Sequence, residues 1–177
     1  MPDYYDTETQ LNEYLVFHYG EDAQVLGWDF GPVKALGFHK RLLEWIDTDR
    51  LRSGSRGLDL GCAVGRITFE LSRFCESVVG IDASKSFITR ADLIKTSGTI
   101  SFRLTREGSL GTPSEVQFPP NLDRNRVTFL QGDAANPPAS LGEFDVVILA
   151  NLLDRLPQPR KMLEKLPEIT RPGAQVI

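Results

Sequence analysis

The sequence lacks the features that mark membrane, secreted or nucleic-acid-binding proteins. In its 177 residues no apolar run approaches the ~20 residues that a membrane-spanning helix needs. The opening, MPDYYDTETQ, has neither the basic nor the apolar region of a signal peptide. The net charge of -4 is spread along the chain without a basic run, which argues against a nucleic-acid partner. We therefore expect a cytoplasmic protein with a small-molecule ligand and no membrane or nucleic-acid partner.

Cysteine and histidine are also scarce, which bears on metals and disulfides. The two cysteines, Cys62 and Cys75, have no metal-ligand spacing and lie near opposite ends of one predicted helix. We expect both to be reduced thiols, as is usual inside cells. The two histidines, His18 and His39, fall on different predicted helices and form no metal cluster with each other. The sequence thus predicts no metal site.

What the sequence does contain is a regular alternation of strand and helix patterns. A length of 177 residues with 41% hydrophobic residues suits one soluble domain with a real core. Apolar runs predict strands at 57–60, 77–81, 127–131 and 144–151. Helical periodicity predicts helices at 6–19, 33–46, 65–75 and 84–95, and another around Met162, Leu163 and Leu166. Such alternation predicts a parallel sheet with right-handed crossovers.

The chain divides into three predicted regions. We expect residues 1–56 to form a helical cap over a ligand site and residues 57–177 to form the sheet core. Residues 99–126 alternate apolar and polar residues around turn signals, which predicts an inserted β-hairpin, either a lid or surface decoration. The final RPGAQVI stops where an apolar strand begins, so we expect a truncated fragment or splice product with C-terminal strands missing.

The stretch GLDLGCAVGRITFELSRFCESVVGIDAS (57–84) reads as strand, glycine turn, helix and strand, ending at an acid. In open parallel sheets, ligands bind beyond the carboxyl ends of the strands, where the strand order reverses. A dinucleotide site there needs G-x-G-x-x-G, so that a pyrophosphate rests on the helix N-terminus. Gly61 and Gly65 flank Ala63 instead, and the fingerprint is not met. A nicotinamide-dependent oxidoreductase is therefore the weakest of the functions considered.

Two acids follow predicted strands at places suited to a nucleoside. Asp82 ends the second strand, where a carboxylate can accept hydrogen bonds from both ribose hydroxyls. The alternative is that Asp82 caps the helix that follows. Asp133, in QGDA, follows the third strand in the same way, and its simplest role is that of a turn residue.

The segment DLGCAVG (59–65) resembles motif I of class I S-adenosylmethionine-dependent methyltransferases, usually D/E-x-G-x-G-x-G, with Ala63 in place of the middle glycine. The resemblance implies a Rossmann-like α/β fold, with a mostly parallel sheet flanked by helices, and S-adenosylmethionine as cofactor. It also implies a set of cofactor-binding residues at the ends of the strands and in the loops after them: Asp59, Gly61, Cys62, Ala63, Gly65, Asp82, Ala83, Asp133, Ala134 and Asn151. Within this set, the resemblance implies that Asp133 binds the adenine amino group.

Longer segments resemble one particular family. YYDTETQLNEYLVFHYG (4–20), GWDFGPVKALGFHKR (27–41), the stretch 58–82 and ILANLLDRLPQP (148–159) together are similar to mercaptohistidine N-methyltransferases. That family completes ovothiol synthesis, alone or fused behind an iron-dependent sulfoxide synthase. The resemblance implies methyl transfer to an imidazole nitrogen of thiohistidine, with the sulfur chemistry done by a separate sulfoxide synthase.

An imidazole nitrogen attacks a methyl group only when it is unprotonated, and free imidazole titrates near ~6.5. The site must therefore hold the neutral ring, and aromatic walls suit both a flat ring and a cationic sulfonium. The candidate catalytic residues are Tyr14, His18 and Asn151. The candidate substrate-binding residues are Tyr4, Tyr5, Tyr14, Phe17 and Asp154, with Tyr19 nearby.

Simpler roles compete with these assignments. Tyr14 and His18 share a helix face with Leu11 and Leu15, so packing is the alternative for both. Arg66 is interpreted as a solvated helix residue in preference to a carboxylate clamp. For the chain as a whole, the alternatives are a methyltransferase for another small molecule and a non-catalytic fragment that binds cofactor or a partner.

Overall fold

The computed structural model describes residues 7–28, 30–107 and 110–177. In chain order its helices are α1 (Glu8–Tyr19), α2 (Asp22–Leu26), α3 (Phe38–Leu43), α4 (Arg66–Leu71), α5 (Lys85–Ser97) and α6 (Pro159–Ile169). Its strands are β1 (Arg56–Leu60), β2 (Ser77–Asp82), β3 (Thr99–Glu107), β4 (Leu110–Gln117), β5 (Val127–Gln131), β6 (Phe144–Ile148) and β7 (Thr170–Val176). No helix of these residues combines the length and the apolar character needed to cross a bilayer.

The core is a parallel sheet with the strand order β5-β2-β1-β6-β7. Every neighbouring pair in it runs parallel, as the alternation of strands and helices predicts. Apolar side chains pack on both faces, and residues such as Leu58 and Val146 are fully buried. The order reverses between β1 and β6, so the crevice for a ligand lies beyond the carboxyl ends of these two strands.

Helix α1 forms where the sequence predicts it. The Thr7 side chain accepts a hydrogen bond from the Gln10 backbone N–H and caps the helix, which ends at Gly20. The predicted apolar face is confirmed, because Leu11, Leu15 and His18 are buried. The pattern in α5 is confirmed in the same way, and its N-cap is Ser84.

The predicted helix at 33–46 is wrong in its continuity. Gly37 has φ +71°, a left-handed conformation, and separates a short 3-10 turn (Val33–Ala35) from α3. Glycine adopts this conformation at no steric cost, and it interrupts the helix there. The preceding helix α2 was not predicted, because its 5 residues are too few to show a helical period.

The C-terminal strand differs from its predicted form. Helix α6 continues through Pro167 to Ile169, and Pro172 and Gly173 lie inside β7 instead of in a turn before it. The register of β7 against β6 shifts between Phe144 and Val146, which accommodates the two residues as a bulge.

The predicted insertion contains the antiparallel hairpin β3–β4, which forms a sheet of its own. Residues 118–126 lie outside it, in a loop and a short 3-10 turn. The hairpin lies against the N-terminal helices: Asn12 donates to the Arg103 carbonyl at 3.2 Å and Gln24 to the Ser114 hydroxyl at 2.8 Å. It therefore extends the N-terminal region on one side of the sheet.

Candidate functional site

A cavity of about 650 Å³ lies at the carboxyl ends of β1, β2, β5 and β6, at the position that the strand order predicts. Its volume falls within the ~300–1,000 Å³ range of small-molecule sites. The loops after these strands border one side, and α1 and α3 border the other. No described residue of the β3–β4 hairpin borders it, so this cavity gives no support to the lid interpretation.

The turn after β1 needs glycine for two reasons. Gly61 has φ +77°, and a Cβ added there would lie 3.0 Å from Leu152 Cδ1, on the loop after β6. A side chain at this position would strain the backbone and crowd Leu152, which also borders the cavity. Gly61, Cys62 and Ala63 all border the cavity.

Asp82 is tied to that turn. Its Oδ2 accepts a hydrogen bond from the Ala63 backbone N–H at 2.9 Å, and its Oδ1 accepts one from the Ser84 N–H at 2.9 Å. The alternative role as the cap of α5 is wrong, because the Ser84 hydroxyl accepts the N–H of Phe87 and caps the helix. Asp82 and Ala83 border the cavity.

Asp59 lies beneath the turn and is 1% exposed. The Thr68 hydroxyl of α4 donates a hydrogen bond of 2.6 Å to its Oδ2. Its cross-strand neighbour is Gly80, where an added Cβ would lie 2.7 Å from the Thr68 Oγ1, so the glycine makes room for this contact. Burial is the main reason why the pKa of Asp59 is raised from 3.8 to about 7.

Gly65 was predicted to bind the cofactor, but it does not border the cavity. It has φ +85° at the start of α4, and an added Cβ would lie 2.5 Å from the Phe129 ring. Its missing side chain lets α4 and the glycine turn pack against β5. We therefore assign Gly65 a packing role.

The remaining predicted residues on the strand loops do meet at the cavity. Asp133, Ala134 and Asn151 border it, and Asn151 has φ +51°. Asp133 also accepts the Ala135 backbone N–H at 2.9 Å, so its turn role is present as well. Asp154 borders the cavity beside Arg155, with which it forms a 3.1 Å salt bridge.

Aromatic side chains of α1 and α3 form the opposite wall. Tyr14, Phe17 and His18 border the cavity from α1, and Phe38 and His39 from α3. Tyr19 does not border it; its hydroxyl donates to the Val64 carbonyl at 2.8 Å and ties α1 to the glycine turn. The predicted substrate residues Tyr4 and Tyr5 lie outside the described residues.

The structure brings the two histidines together, which the sequence reading missed. The ring centroids of His18 and His39 are 4.3 Å apart, and Phe17 packs edge-on against both. The available signal was the repeated Phe-His dipeptide at 17–18 and 38–39, on two helices predicted to cover one site. No group of three or more metal-ligating side chains occurs among the described residues.

Both imidazoles are neutral at physiological pH. Burial lowers the pKa of His18 well below 6.5, with further lowering by His39 and Arg66. Burial and Arg66 lower the pKa of His39 to about 4. Within the described part of the chain, His18 Nδ1 is buried and has no hydrogen-bond partner.

Arg66 is not the solvated residue that was predicted. Its side chain is 13% exposed and forms a 2.8 Å salt bridge with Glu70. It also donates to the His18 carbonyl at 3.0 Å, so it joins α4 to the end of α1. This buried pairing argues against a role as a free carboxylate clamp.

The described residues fit S-adenosylmethionine. Three features match the needs of an adenosyl ligand. They are the glycine turn at Gly61, where an added Cβ would crowd Leu152, the Asp82 carboxylate at the end of β2, and the cavity of about 650 Å³. Asp82 would face the ribose, Asp133 and Ala134 the adenine, and Gly61 and Asp59 the methionine part.

A family model described as "Methyltransferase domain" matches residues 58–177. The ubiquinone biosynthesis O-methyltransferase of Paraburkholderia phymatum is 27% identical over 136 residues, which are 76% of this chain and 47% of that protein. That of Aromatoleum aromaticum is 27% identical over 135 residues, again 76% of this chain and 47% of the relative. The chain thus spans about half the length of the curated relatives it matches.

Solved structures confirm the Rossmann-like α/β fold. Magnesium protoporphyrin IX methyltransferase from Synechocystis, with bound S-adenosylmethionine, superposes with a TM-score of 0.58 at 18% identity. That match covers 96% of this chain and 69% of the other. A glycopeptide N-methyltransferase complexed with sinefungin gives a TM-score of 0.54 at 18% identity, covering 78% of this chain and 50% of the other.

Proposed function

This chain belongs to the methyltransferase-domain family, whose cofactor is S-adenosylmethionine, and from this premise we propose that it methylates an imidazole nitrogen of thiohistidine in ovothiol synthesis. The observation that carries methyl transfer is the Asp82–Ala63 hydrogen bond beside Gly61, at the point where the strand order reverses. The choice of thiohistidine rests on the resemblance of residues 4–20, 27–41 and 148–159 and on the aromatic wall.

The cofactor supplies a methyl group already activated by a sulfonium charge. The protein's task is therefore to align the acceptor with that methyl group and to exclude water, and positioning of this kind can lower a barrier by ~7–11 kcal/mol. Gly61, Asp82 and Asp133 would fix one side of the site. The rings of Tyr14, Phe17 and His18 would hold a flat acceptor on the other.

The aromatic wall favours a neutral acceptor ring. The burial that lowers the pKa of His18 and His39 would also keep a bound substrate imidazole unprotonated, with its lone pair available. When one ring nitrogen gains the methyl group, the proton on the other nitrogen must leave. That proton passes to solvent, because the lowered pKa of His18 makes this imidazole a poor base. His18 Nδ1, which has no partner within the described residues, is our candidate to accept a hydrogen bond from the ring N–H, and Tyr14 and Asn151 would orient the ring.

The proposed substrate also implies a functional partner. Thiohistidine carries a carbon–sulfur bond, which methyl transfer to a ring nitrogen does not form. We infer that an iron-dependent sulfoxide synthase supplies the sulfur-bearing precursor, as in the family that the N-terminal segments resemble.

A second candidate is O-methylation of a small phenol. The curated relatives are named for the O-methylation of ubiquinone biosynthesis, and this is the observation that favours it. A phenol must lose its proton before it attacks, and His18, whose pKa lies well below 6.5, is a poor acceptor for that proton. In a third candidate the chain binds the cofactor without transferring its methyl group.

Mass spectrometry of the products separates these candidates. The 177-residue chain, shown by circular dichroism to be folded, is incubated with S-adenosylmethionine and either mercaptohistidine or a catechol. We expect one added methyl group on mercaptohistidine only. Methylated catechol alone would favour the second candidate, and cofactor binding without any product would favour the third.

Asp82→Asn, assayed with S-adenosylmethionine below saturation, serves as the low-activity reference. Asp92→Asn, an exposed acid on α5 that does not border the cavity, is its matched control. Product that persists at the wild-type rate in the Asp82 variant would come from a contaminating enzyme.

A further inference from the structure

A second, smaller cavity of about 140 Å³ lies beside the first. Four side chains border both cavities: Phe17, His18, Phe38 and His39. Its volume is below the ~300 Å³ typical of sites for drug-sized ligands, so it suits one substituent of a ligand held mainly in the larger cavity. A substrate ring at this shared wall would have its substituent close to the second cavity.

The second cavity carries charges of both signs. Asp22 of α2 and Lys40 of α3 border it, and both are exposed at its rim. Within the described residues, neither side chain has an ion-pair partner, and no salt bridge joins the two. Arg66 also borders this cavity, but its charge is already paired with Glu70.

The Asp22 carboxylate and the Lys40 ammonium border one small cavity and, in the described part of the chain, have no ion-pair partner, so together they are complementary to a zwitterionic ligand. A ligand carboxylate would pair with the Lys40 ammonium, and a ligand ammonium with the Asp22 carboxylate, as charge-assisted hydrogen bonds. A phenol or quinone with an apolar tail has neither group and would leave both charges unpaired.

We propose that this second cavity is the subsite for the α-amino-acid group of the substrate, with the substrate ring held at the wall that the two cavities share. This inference rests on the proposed function, because it assigns a place to the part of thiohistidine that is not methylated. The amino-acid group is then a determinant of substrate specificity, and Lys40 and Asp22 are the residues that bind it.

The test compares two acceptors that share a ring. Mercaptohistidine carries the amino-acid group, and mercaptoimidazole lacks it. The KM for each acceptor is measured with the wild-type chain, Lys40→Gln and Asp22→Asn. The controls are Lys34→Gln and Asp92→Asn, exposed residues that border neither cavity.

We expect Lys40→Gln and Asp22→Asn each to raise the KM for mercaptohistidine about fivefold, as the loss of one partly exposed charge pair predicts, without changing kcat. The KM for mercaptoimidazole should stay at the wild-type value, and the controls should change neither. Equal effects on both acceptors, or no effect on either, would overturn the subsite.

Calorimetry separates failure of the subsite from failure of the proposed function. Histidine is titrated into the wild-type chain and into Lys40→Gln, each saturated with S-adenosylhomocysteine. Binding that weakens about fivefold in the variant supports the subsite even if no methylated product forms. No histidine binding by the wild-type chain, or equal binding by both chains, overturns it whatever the activity.

Discussion

The carboxylate of Asp82 accepts the backbone N–H of Ala63 at 2.9 Å, so the end of β2 holds the turn that follows β1. The two residues are 19 positions apart in sequence and meet at the crevice where the strand order reverses. The acid therefore shapes the glycine turn in addition to facing the cavity. The positions of the glycine turn and of the Asp82 carboxylate therefore depend on this one hydrogen bond.

Replacing Asp82 by asparagine keeps an oxygen for the Ala63 N–H but removes the negative charge. We expect the affinity for S-adenosylhomocysteine to fall about 10- to 100-fold, because hydrogen bonds from the ribose hydroxyls to a charged group contribute about 1.5–3 kcal/mol. Isothermal titration calorimetry measures this loss. Asp92→Asn should bind as the wild type does, and equal affinity of Asp82→Asn and wild type would remove Asp82 from the cofactor site.

Ala63 has φ +46°, a left-handed conformation that costs alanine about 1–2 kcal/mol and glycine almost nothing. Ala63→Gly relieves this strain. Glycine also raises the conformational entropy of the unfolded chain, which lowers the free energy of unfolding by about 0.4–1 kcal/mol. We expect a net gain in the free energy of unfolding of up to about 1.6 kcal/mol, with cofactor binding retained. For Ala63→Val we expect the free energy of unfolding to fall by at least as much as it rises in Ala63→Gly. Urea denaturation measures the free energy of unfolding of both variants.

A contrary ranking, with the valine variant more stable than the glycine variant, would show that the turn is not held in the left-handed conformation. The motif comparison treats Ala63 as a glycine with one added methyl group. The structure adds the physical reason for glycine at this position, which is the backbone angle.

Asp59 makes stability depend on pH in a direction opposite to most acids. Its pKa is about 7 in the folded protein against an ordinary value of 3.8. Between these values the unfolded chain has released the proton and the folded protein has kept it. Stability therefore falls as pH rises from about 4 to 7, by at most about 1.4 kcal/mol per pH unit from this group.

Asp59→Asn removes that dependence. We expect the free energy of unfolding of the variant, relative to wild type, to be higher at pH 7 than at pH 5. Urea denaturation at the two pH values gives the comparison. A difference that does not change with pH would mean that Asp59 is ionised in the folded protein throughout this range.

His39 acts in the other direction. Its folded pKa of about 4 lies below the ordinary 6.5, so the unfolded chain takes up a proton that the folded protein refuses. Stability is therefore lost as pH falls from 6.5 to 4. In His39→Phe this loss should be smaller by up to about 1.4 kcal/mol per pH unit, as measured by thermal or urea unfolding at pH 7.5 and 5. Parallel pH profiles for the variant and wild type would contradict the lowered pKa.

Local patterns predict most of the sheet and half of the site. The apolar runs and the motif at 57–84 fix the four predicted core strands, and the loops after these strands carry Gly61, Asp82 and Asp133 to one crevice. This succeeds because parallel strands bring their carboxyl ends to the same edge of the sheet.

The part that sequence patterns do not predict depends on contacts between distant segments. The meeting of His18 with His39 requires the packing of α3 beside α1, which no local pattern describes. The burial of Arg66 depends on Glu70 one turn later and on the carbonyl of His18, which lies 48 positions away. Helical periodicity describes one face of a helix and not the segment that covers it.

We infer that Gly61, Ala63 and Asp82 together bind the adenosyl group of S-adenosylmethionine. Calorimetric titration of the folded 177-residue chain with S-adenosylhomocysteine, and separately with NAD, tests it most directly. We expect one S-adenosylhomocysteine bound per chain and no heat of binding with NAD. A folded chain that gives no heat with S-adenosylhomocysteine, or that binds NAD in its place, would contradict it.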